Sequence, residues 1–110
     1  MSHATNQIEP VYSTLGGDPG LDEIITLFVA EMPQRVATLL SKLDAGDWEG
    51  LRRTTHQLRG AASSYGFDPI TPGAGRVEEA ICQHATEQEI RAAVDALIDL
   101  CRRACAGTPG

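Results

Sequence analysis

The sequence predicts an all-α protein, an antiparallel four-helix bundle with an additional short or kinked N-terminal helix. Three observations support this fold class. Apolar residues recur at three- and four-residue steps, proline and glycine separate the segments, and no stretch shows sustained two-residue alternation. Each segment has one apolar face, and an antiparallel bundle with short loops buries such faces together.

Composition limits the size and class of the protein. The 110 residues suffice for one core, and 42% hydrophobic with 22% charged residues is ordinary for a globular protein. The net charge of −6 disfavours nucleic acid and anionic membrane surfaces as partners. The apolar run 24–30 is too short to span a bilayer and no signal-peptide pattern precedes it, so we expect a cytoplasmic protein. One bundle can close its own core, which favours a monomer.

The chain divides into a flexible N-terminal segment at 1–17, a helical bundle at 18–106 and a flexible tail at 107–110. Asp18 and Pro19 are suited to begin the first helix, and Asp22 and Glu23 favour the positive end of its dipole. Pro33 then predicts two consecutive helices or one kinked helix. The apolar positions on both sides of this proline keep the helical period: Leu21, Ile24, Ile25, Phe28, Val29 and Met32, then Val36, Leu39, Leu40 and Leu43.

The next helix has clear signals at both ends. Asp47 is suited to cap its start, and Gly66 is suited to the left-handed conformation that commonly ends a helix. The start of the following helix stays open, because either Asp68–Pro69 or Thr71–Pro72 can begin it. The apolar stripes of these two helices are Trp48, Leu51, Leu58, Ala62 and Tyr65, and Ile70, Ala74, Val77 and Ile81.

The last helix is predicted to start with a capping box over residues 86–89. Its apolar face includes Cys101 and Cys105, together with Ile90, Val94 and Leu97. The spacings of the three cysteines match no zinc or redox motif, so we expect reduced thiols and no metal site. A site made from Cys101, Cys105 and a histidine stays as an alternative, since positions i and i+4 share a helix face.

The residues suited to chemistry surround His56. Helical geometry places this histidine opposite the apolar stripe, facing water. Arg52, Arg53 and Arg59 lie within about one turn of it, and such a positive cluster in an acidic protein favours an anionic ligand. Gly60 costs about 1 kcal/mol relative to alanine within a helix. Its missing side chain leaves space beside the imidazole, although a close helix contact is an alternative reason for the glycine.

An exposed neutral imidazole is a competent nucleophile near pH 7 and can attack a phosphoryl group held by another protein. Arg59 can donate charge-assisted hydrogen bonds to the phosphoryl oxygens, and Arg52, Arg53 and Gln57 are further candidates for this role. In phosphoryl transfer the protein supplies mainly position and charge. A protein that takes up a phosphoryl group in this way therefore needs no cofactor of its own. His3 and His84 have no comparable surroundings and are interpreted as ordinary surface residues.

The run His56-Gln57-Leu58-Arg59-Gly60, followed by Gly66, resembles the signature of histidine phosphotransfer (HPt) domains. The resemblance extends from about Leu21 to Cys105 and includes Gly46-Asp47-Trp48 before the histidine, then Ile70, Ala74, Val77 and Glu78 after it. It implies a four-helix bundle whose histidine accepts a phosphoryl group from the aspartate of one receiver domain and passes it to another. It also implies no kinase or ATPase activity of the domain itself.

By this resemblance His56 is the phosphorylated residue, Arg59 takes the place of the usual lysine, Gly60 opens access and Gly66 ends the helix. The implied partners are response-regulator receiver domains, with a hybrid sensor histidine kinase as a further candidate. Any Mg²⁺ ion would belong to the partner receiver domain.

Two other functions compete with this interpretation. The dimerisation helix of a histidine kinase also carries a phosphorylated histidine, but an acidic residue typically follows it, whereas Gln57 follows here. The second rival is a degenerate helical adaptor that is never phosphorylated and binds partners through an apolar face. Joint occurrence of His56, a basic residue at 59 and Gly60 favours the carrier over this adaptor.

Overall fold

The computed structural model describes residues 9–108, which contain five α-helices and one pair of two-residue β-strands. The elements, in chain order, are β1 (Val11–Tyr12), α1 (Asp22–Ala30), α2 (Met32–Asp44), α3 (Trp48–Ser64), α4 (Ile70–Cys82), α5 (Glu87–Arg102) and β2 (Ala104–Cys105).

Helices α2 to α5 form the bundle. Helix α3 packs against α4, α4 packs against α5, and α2 contacts both α3 and α5, so that the four helices enclose one core. Helix α1 lies outside this set and contacts α2 and β2. The loops 45–47, 65–69 and 83–86 are short, which makes consecutive helices antiparallel. The predicted all-α fold with a bent first helix is confirmed, α1 and α2 being the two parts of that helix.

The bend between α1 and α2 lies at Glu31, where the predicted interruption by Pro33 is confirmed. Proline has no backbone N–H and is tolerated in the first turn of a helix, and here it lies in the first turn of α2. The predicted start of α1 at Asp18 is wrong, because the helix begins at Asp22. The Asp18 carboxylate accepts a hydrogen bond from the Gly20 N–H at 2.9 Å, which closes a local turn before the helix.

The predicted boundaries of α3 are confirmed. Asp47 accepts a hydrogen bond from the Gly50 N–H at 3.0 Å, and this bond is the main reason that the pKa of Asp47 is lowered. At the other end Gly66 has a φ of 78°, and the Phe67 N–H donates to the Ala62 carbonyl at 2.9 Å. A left-handed glycine with this hydrogen bond is the Schellman end of a helix. Helix α4 then begins at Ile70, in agreement with the first of the two possible starts.

The core is formed by the apolar stripes of all five helices. On α3, Leu51, Leu58 and Ala62 are at most 1% exposed, and Thr55 is fully buried with its hydroxyl donating to the Leu51 carbonyl. Burial of one leucine side chain contributes about 1.5–3 kcal/mol to folding, so this stripe fixes the rotation of α3 about its axis. Ile24, expected on the buried stripe of the first helix, is instead 42% exposed.

The N-terminal segment differs from the prediction. Residues 1–17 were expected to be flexible, but Val11 and Thr14 are bonded to the bundle through their backbone N–H groups, to the Arg103 carbonyl at 2.7 Å and the Gly66 carbonyl at 2.8 Å. β1 pairs in parallel with β2, and Val11 is buried. These partners satisfy backbone groups that a loose segment would leave to water. The predicted flexibility of 1–8 and of 109–110 falls outside the described residues.

The last helix is shorter than expected. The capping box at Thr86 and Glu89 is confirmed, but α5 ends at Arg102, so Cys105 lies in β2 and not on the helix face. The alternative metal site required both cysteines on one helical turn, and that premise is wrong. Cys101 is buried in the core, and its burial raises the pKa of the thiol to about 12. A high pKa disfavours the thiolate that metal binding requires.

One stretch of the described chain, Asp22–Asp44, is long and apolar enough to meet a length and composition test for a membrane span. The expectation that the chain does not span a bilayer was based on the shorter run 24–30. Core helices of soluble proteins pass the same test, and this stretch contributes buried side chains from both α1 and α2: Ile25, Phe28, Met32, Val36, Leu39 and Leu43. It is therefore weak evidence for a span.

Candidate functional site

His56 lies in the middle of α3, on the side opposite the buried stripe. Its side chain is 60% exposed, while its neighbours Thr55 and Leu58 are buried. The cap at Asp47 and the turn at Gly66 fix the ends of the helix, and the buried stripe fixes its rotation. The imidazole therefore has a defined direction toward solvent, as the sequence predicted.

Glu78 of α4 joins His56 to Arg59. One carboxylate oxygen, Oε2, lies 2.9 Å from His56 Nδ1, and the other, Oε1, lies 3.1 Å from Arg59 Nε. Arg59 Nη2 lies 3.5 Å from the same Nδ1. The Glu78 side chain is only 12% exposed, against 42% for Arg59, so the carboxylate is the buried centre of the arrangement. We refer to these three residues as the His56–Arg59–Glu78 cluster.

The distances within this cluster decide which ring nitrogen of neutral His56 carries the proton. If Nδ1 is protonated, it donates to the Glu78 carboxylate at 2.9 Å. If Nδ1 is unprotonated, its lone pair faces the negatively charged carboxylate at the same distance, and the two repel each other. The hydrogen bond from Arg59 that would offset this repulsion is long, at 3.5 Å. The first arrangement is favoured, and it leaves the lone pair of Nε2 free. In the described part of the chain, no side chain is hydrogen-bonded to Nε2.

The contact between Arg59 and Glu78 is a close ion pair but not a well-aligned hydrogen bond. Glu78 Oε1 is buried and, among residues 9–108, has no partner with hydrogen-bond geometry even though Arg59 Nε is 3.1 Å away. Distance governs the Coulomb attraction, whereas a hydrogen bond also needs the correct angle. Arg59 thus keeps the capacity to donate hydrogen bonds to a further acceptor.

Carboxylates lie close to the arginines that were predicted to surround His56. Arg52 pairs with Glu49 at 2.7 Å, and Arg53 lies 3.7 Å from the same carboxylate. The Arg52 hydrogen bond is the main cause of a lowered pKa at Glu49, and it raises the pKa of Arg52 in turn. Arg59 is likewise paired with Glu78, so each of the three arginines predicted to surround His56 lies close to a carboxylate.

Gln57 lies apart from the cluster, in a cleft of about 250 Å³ between α2 and α3 that Arg35 and Thr54 also line. The structure therefore brings together His56 and Arg59 of the predicted phosphate-binding residues, whereas Arg52, Arg53 and Gln57 form no hydrogen bond to the imidazole. A pocket between helices can accept a side chain of a partner, but it does not place Gln57 beside the ring.

Gly60 is exposed, and a Cβ atom added to it would meet no atom of the described residues within 4 Å, apart from its chain neighbours and the backbone of its own helix. The alternative that this glycine allows a close helix contact is wrong. By contrast, a Cβ on Gly73 would come within 3.0 Å of Leu100, so a packing glycine does occur in α4. The space above Gly60 is open to solvent, one turn after His56.

The sequence placed Glu78 within the family resemblance but assigned it no role at the site, although a signal for that role exists. Helices α3 and α4 form an antiparallel hairpin that turns at Gly66 and Phe67. Residues equally far from the turn face each other, and His56 and Glu78 are each eleven residues from Phe67. Arg59 and Gly75 are likewise eight residues from it, and the Arg59 Cδ lies 4.0 Å from the Cβ position of Gly75.

The fold and the site together describe a helical bundle that presents a histidine to solvent and holds it with a carboxylate from the next helix. The model of the Hpt domain family matches residues 23–107, and the chain belongs to this family. Hpt domains take part in phosphotransfer in phosphorelays, are phosphocarriers rather than enzymes, and interact with receiver domains of response regulators or hybrid kinases. No curated protein and no solved structure matched the chain.

Proposed function

We propose that this protein is a phosphoryl carrier in which His56 accepts a phosphoryl group from a receiver-domain aspartate and relays it to the aspartate of another receiver. The observation that carries the proposal is the 2.9 Å contact between Nδ1 and Glu78, which leaves the Nε2 lone pair free on a side chain that is 60% exposed. A nucleophile that must reach a group held by another protein requires both a free lone pair and open surroundings.

The transfer step uses Nε2 as the attacking atom. Its lone pair forms the N–P bond while the bond between phosphorus and the aspartyl oxygen breaks, and the electron pair of that bond stays on the aspartate carboxylate. The proton on Nδ1 remains in place, so the reaction needs no general base to remove it. In the reverse step the N–P bond breaks and its electrons return to Nε2.

Two neighbouring residues support this step. Arg59, whose guanidinium lies 3.5 Å from the His56 ring, supplies donors for the phosphoryl oxygens. Gly60 leaves the approach to the imidazole open to a partner backbone or loop, since a side chain there would lean toward His56. Arg52 and Arg53 are paired with Glu49 and contribute at most a more distant charge.

The proposed carrier has no kinase or ATPase activity and no cofactor of its own, since the chemistry needs only position and charge from this side. Any Mg²⁺ ion would belong to the receiver domain that holds the aspartyl phosphate. The proposed partners are receiver domains, free or part of a hybrid sensor histidine kinase. We propose that the protein acts in the cytoplasm as a monomer.

The experiment is transfer profiling with the receiver domains of the same cell, each phosphorylated with labelled phosphate. The wild-type protein is expected to acquire an acid-labile, alkali-stable label from at least one receiver. The substitution His56→Gln is expected to abolish this label, because no other nucleophile occupies the position.

His84→Asn is the matched control, because His84 is also exposed and asparagine tolerates its positive φ of 56°. This variant is expected to accept label at the wild-type rate. Undiminished labelling of His56→Gln would refute the site, and absence of transfer from every receiver would refute the function.

A non-phosphorylated adaptor is the second candidate. The observation in its favour is an apolar surface on α1, where Ile24 is 42% and Leu27 is 58% exposed. An exposed apolar surface is typical of a protein interaction site. An adaptor would bind receiver domains without acquiring label, so the same profiling experiment, with binding recorded beside transfer, separates the two functions.

A further inference from the structure

We infer that residues 9–17 act as a clasp that fixes α1 on the bundle, so that the clasp and α1 form one cooperative unit that opens while α2 to α5 stay folded. The inference goes beyond the proposed function, because it concerns a conformational change outside the transfer step. The clasp precedes residue 23, where the match to the Hpt domain family begins. It is therefore an addition to the matched region.

The first half of the clasp is attached to the C-terminal end of α5. The Val11 N–H donates to the Arg103 carbonyl at 2.7 Å, and β1 pairs with β2. In the other direction, a guanidinium nitrogen of Arg103 donates to the Glu9 carbonyl at 3.2 Å. Val11 is 7% exposed. Backbone pairing and apolar burial thus hold this half in place.

The second half of the clasp lies on the turn that follows α3. The Thr14 N–H donates to the Gly66 carbonyl at 2.8 Å, and the buried Ser13 hydroxyl donates to the Tyr65 carbonyl. Carbonyl groups at the end of a helix have no partner within the helix, so the clasp supplies donors that the turn needs. A Cβ atom on Gly66 would come within 2.7 Å of Thr14 Oγ1, which shows that the clasp packs directly against the turn.

Helix α1 rests on the same two parts of the molecule. The ring centroid of Phe28 lies 5.4 Å from that of Tyr65 and 5.1 Å from that of Phe67, the two residues that flank Gly66. Apart from α2, the element that α1 mainly contacts is β2, the strand that is paired with the clasp. Release of the clasp would therefore weaken both of these supports of α1.

Helix α1 has little stability of its own. It contains nine residues, its N-terminus has no side-chain cap, and it buries Ile25 and Phe28 but exposes Ile24 and Leu27. An isolated helix shorter than about 12 residues is marginal in water. The bundle helices bury longer stripes, so opening of the unit should require less free energy than unfolding of the bundle.

The first test is native-state hydrogen exchange of the full chain, followed by NMR. The amides of Val11 and Thr14 in the clasp and of Phe28 in α1 are expected to share one free energy of opening, and Leu58 in α3 is expected to have a higher one. Exchange of all four amides at the same free energy would overturn the inference, because the molecule would then open as a whole. Different values for the clasp and for α1 would also overturn it, because the two would then open separately.

The variant Ser13→Ala breaks the clasp at one point without changing any helix. It removes the donor to the Tyr65 carbonyl. Exchange at Phe28 is expected to become about 2- to 10-fold faster, the value of one hydrogen bond, with no change at Leu58. Unchanged exchange at Phe28 would contradict the coupling between clasp and helix, whether or not the clasp amides change.

Val77→Ala is the matched control, because Val77 is fully buried on α4 and its truncation weakens the bundle. Exchange at Leu58 is expected to become faster, while Phe28 keeps its wild-type rate. Equal acceleration at both amides would mean that α1 opens together with the bundle, and the inference would be wrong.

The second test measures access to Cys101 by alkylation and mass spectrometry. This thiol is 1% exposed and lies in a cavity of about 440 Å³ that Val29 of α1 and Ala104 of β2 also line. Opening of the unit would expose it to iodoacetamide, whose carbon forms a bond with sulfur while iodide leaves. Ser13→Ala is expected to raise the rate at Cys101 by about 2- to 10-fold, as for exchange, whereas the exposed Cys82 keeps its rate. An unchanged rate at Cys101 would overturn the inference.

Discussion

The two faces of α3 differ in what holds them. The buried face is a stripe of Leu51, Thr55, Leu58 and Ala62, each at most 1% exposed, and it packs against the core formed by the other helices. The exposed face carries His56, 60% exposed, and has few fixed contacts apart from Glu78. One helix thus combines a face that sets its position with a face that is free to react. Substitutions on the first face should change stability, and substitutions on the second should change transfer.

The largest expected effect is on the buried face. Leu58→Ala removes a side chain that is 1% exposed and leaves a cavity beneath the site, so we expect a loss of about 2–5 kcal/mol in the free energy of unfolding. Urea denaturation followed by circular dichroism measures this. At urea concentrations where the variant is still folded, phosphoryl transfer to His56 should continue. A loss of transfer without a loss of stability would contradict the separation of the two faces.

An intermediate effect is expected at Gly60, where stability and transfer should move in opposite directions. Gly60→Ala meets no neighbour within 4 Å and should gain up to about 1 kcal/mol of stability from helix propensity, as measured by thermal unfolding. Gly60→Leu should remain folded but slow transfer from a receiver domain by about 10- to 100-fold, because it obstructs the approach to His56. Unchanged transfer by the leucine variant would show that this space is not used.

The smallest effect is expected at Arg53. This residue is exposed and lies 3.7 Å from the Glu49 carboxylate, so Arg53→Ala should change the free energy of unfolding by no more than about 0.5 kcal/mol. Transfer should stay near the wild-type rate, whereas Arg59→Ala should slow it. Equal losses in the two variants would mean that general positive charge, and not contact with the cluster, supports the reaction.

Much of the fold followed from local patterns. Helical periodicity, capping residues and helix breakers predicted the interruption by Pro33, the start of α3 at Asp47 and its end at Gly66, because each of these signals depends only on residues a few positions apart. The errors at Val11 and Cys105 have a shared cause. Val11 belongs to β1, and Cys105 lies in β2 after α5 has ended, since β1 pairs with β2. A pairing between residues so far apart leaves no local pattern in the sequence.

The features of the site also divide into those that local sequence patterns predict and those that they do not. Exposure of His56 and the open space at Gly60 could be derived from helical rotation alone. The ion pairs around His56 could not be derived in this way. Arg52 and Arg53 share Glu49 on their own helix, and Arg59 faces Glu78 on another. Hairpin symmetry about Phe67 would have identified Glu78 as the residue opposite His56, but only after the α3–α4 hairpin was known.

The sequence by itself determined the helices, their buried faces and the direction of the histidine, because a helix repeats at fixed intervals and its apolar stripe selects one side. Only the tertiary structure decided which side chain meets the imidazole and which ring nitrogen is left free. That choice depends on the packing of α4 against α3, which brings a carboxylate 22 positions away in the chain to within 2.9 Å of His56 Nδ1.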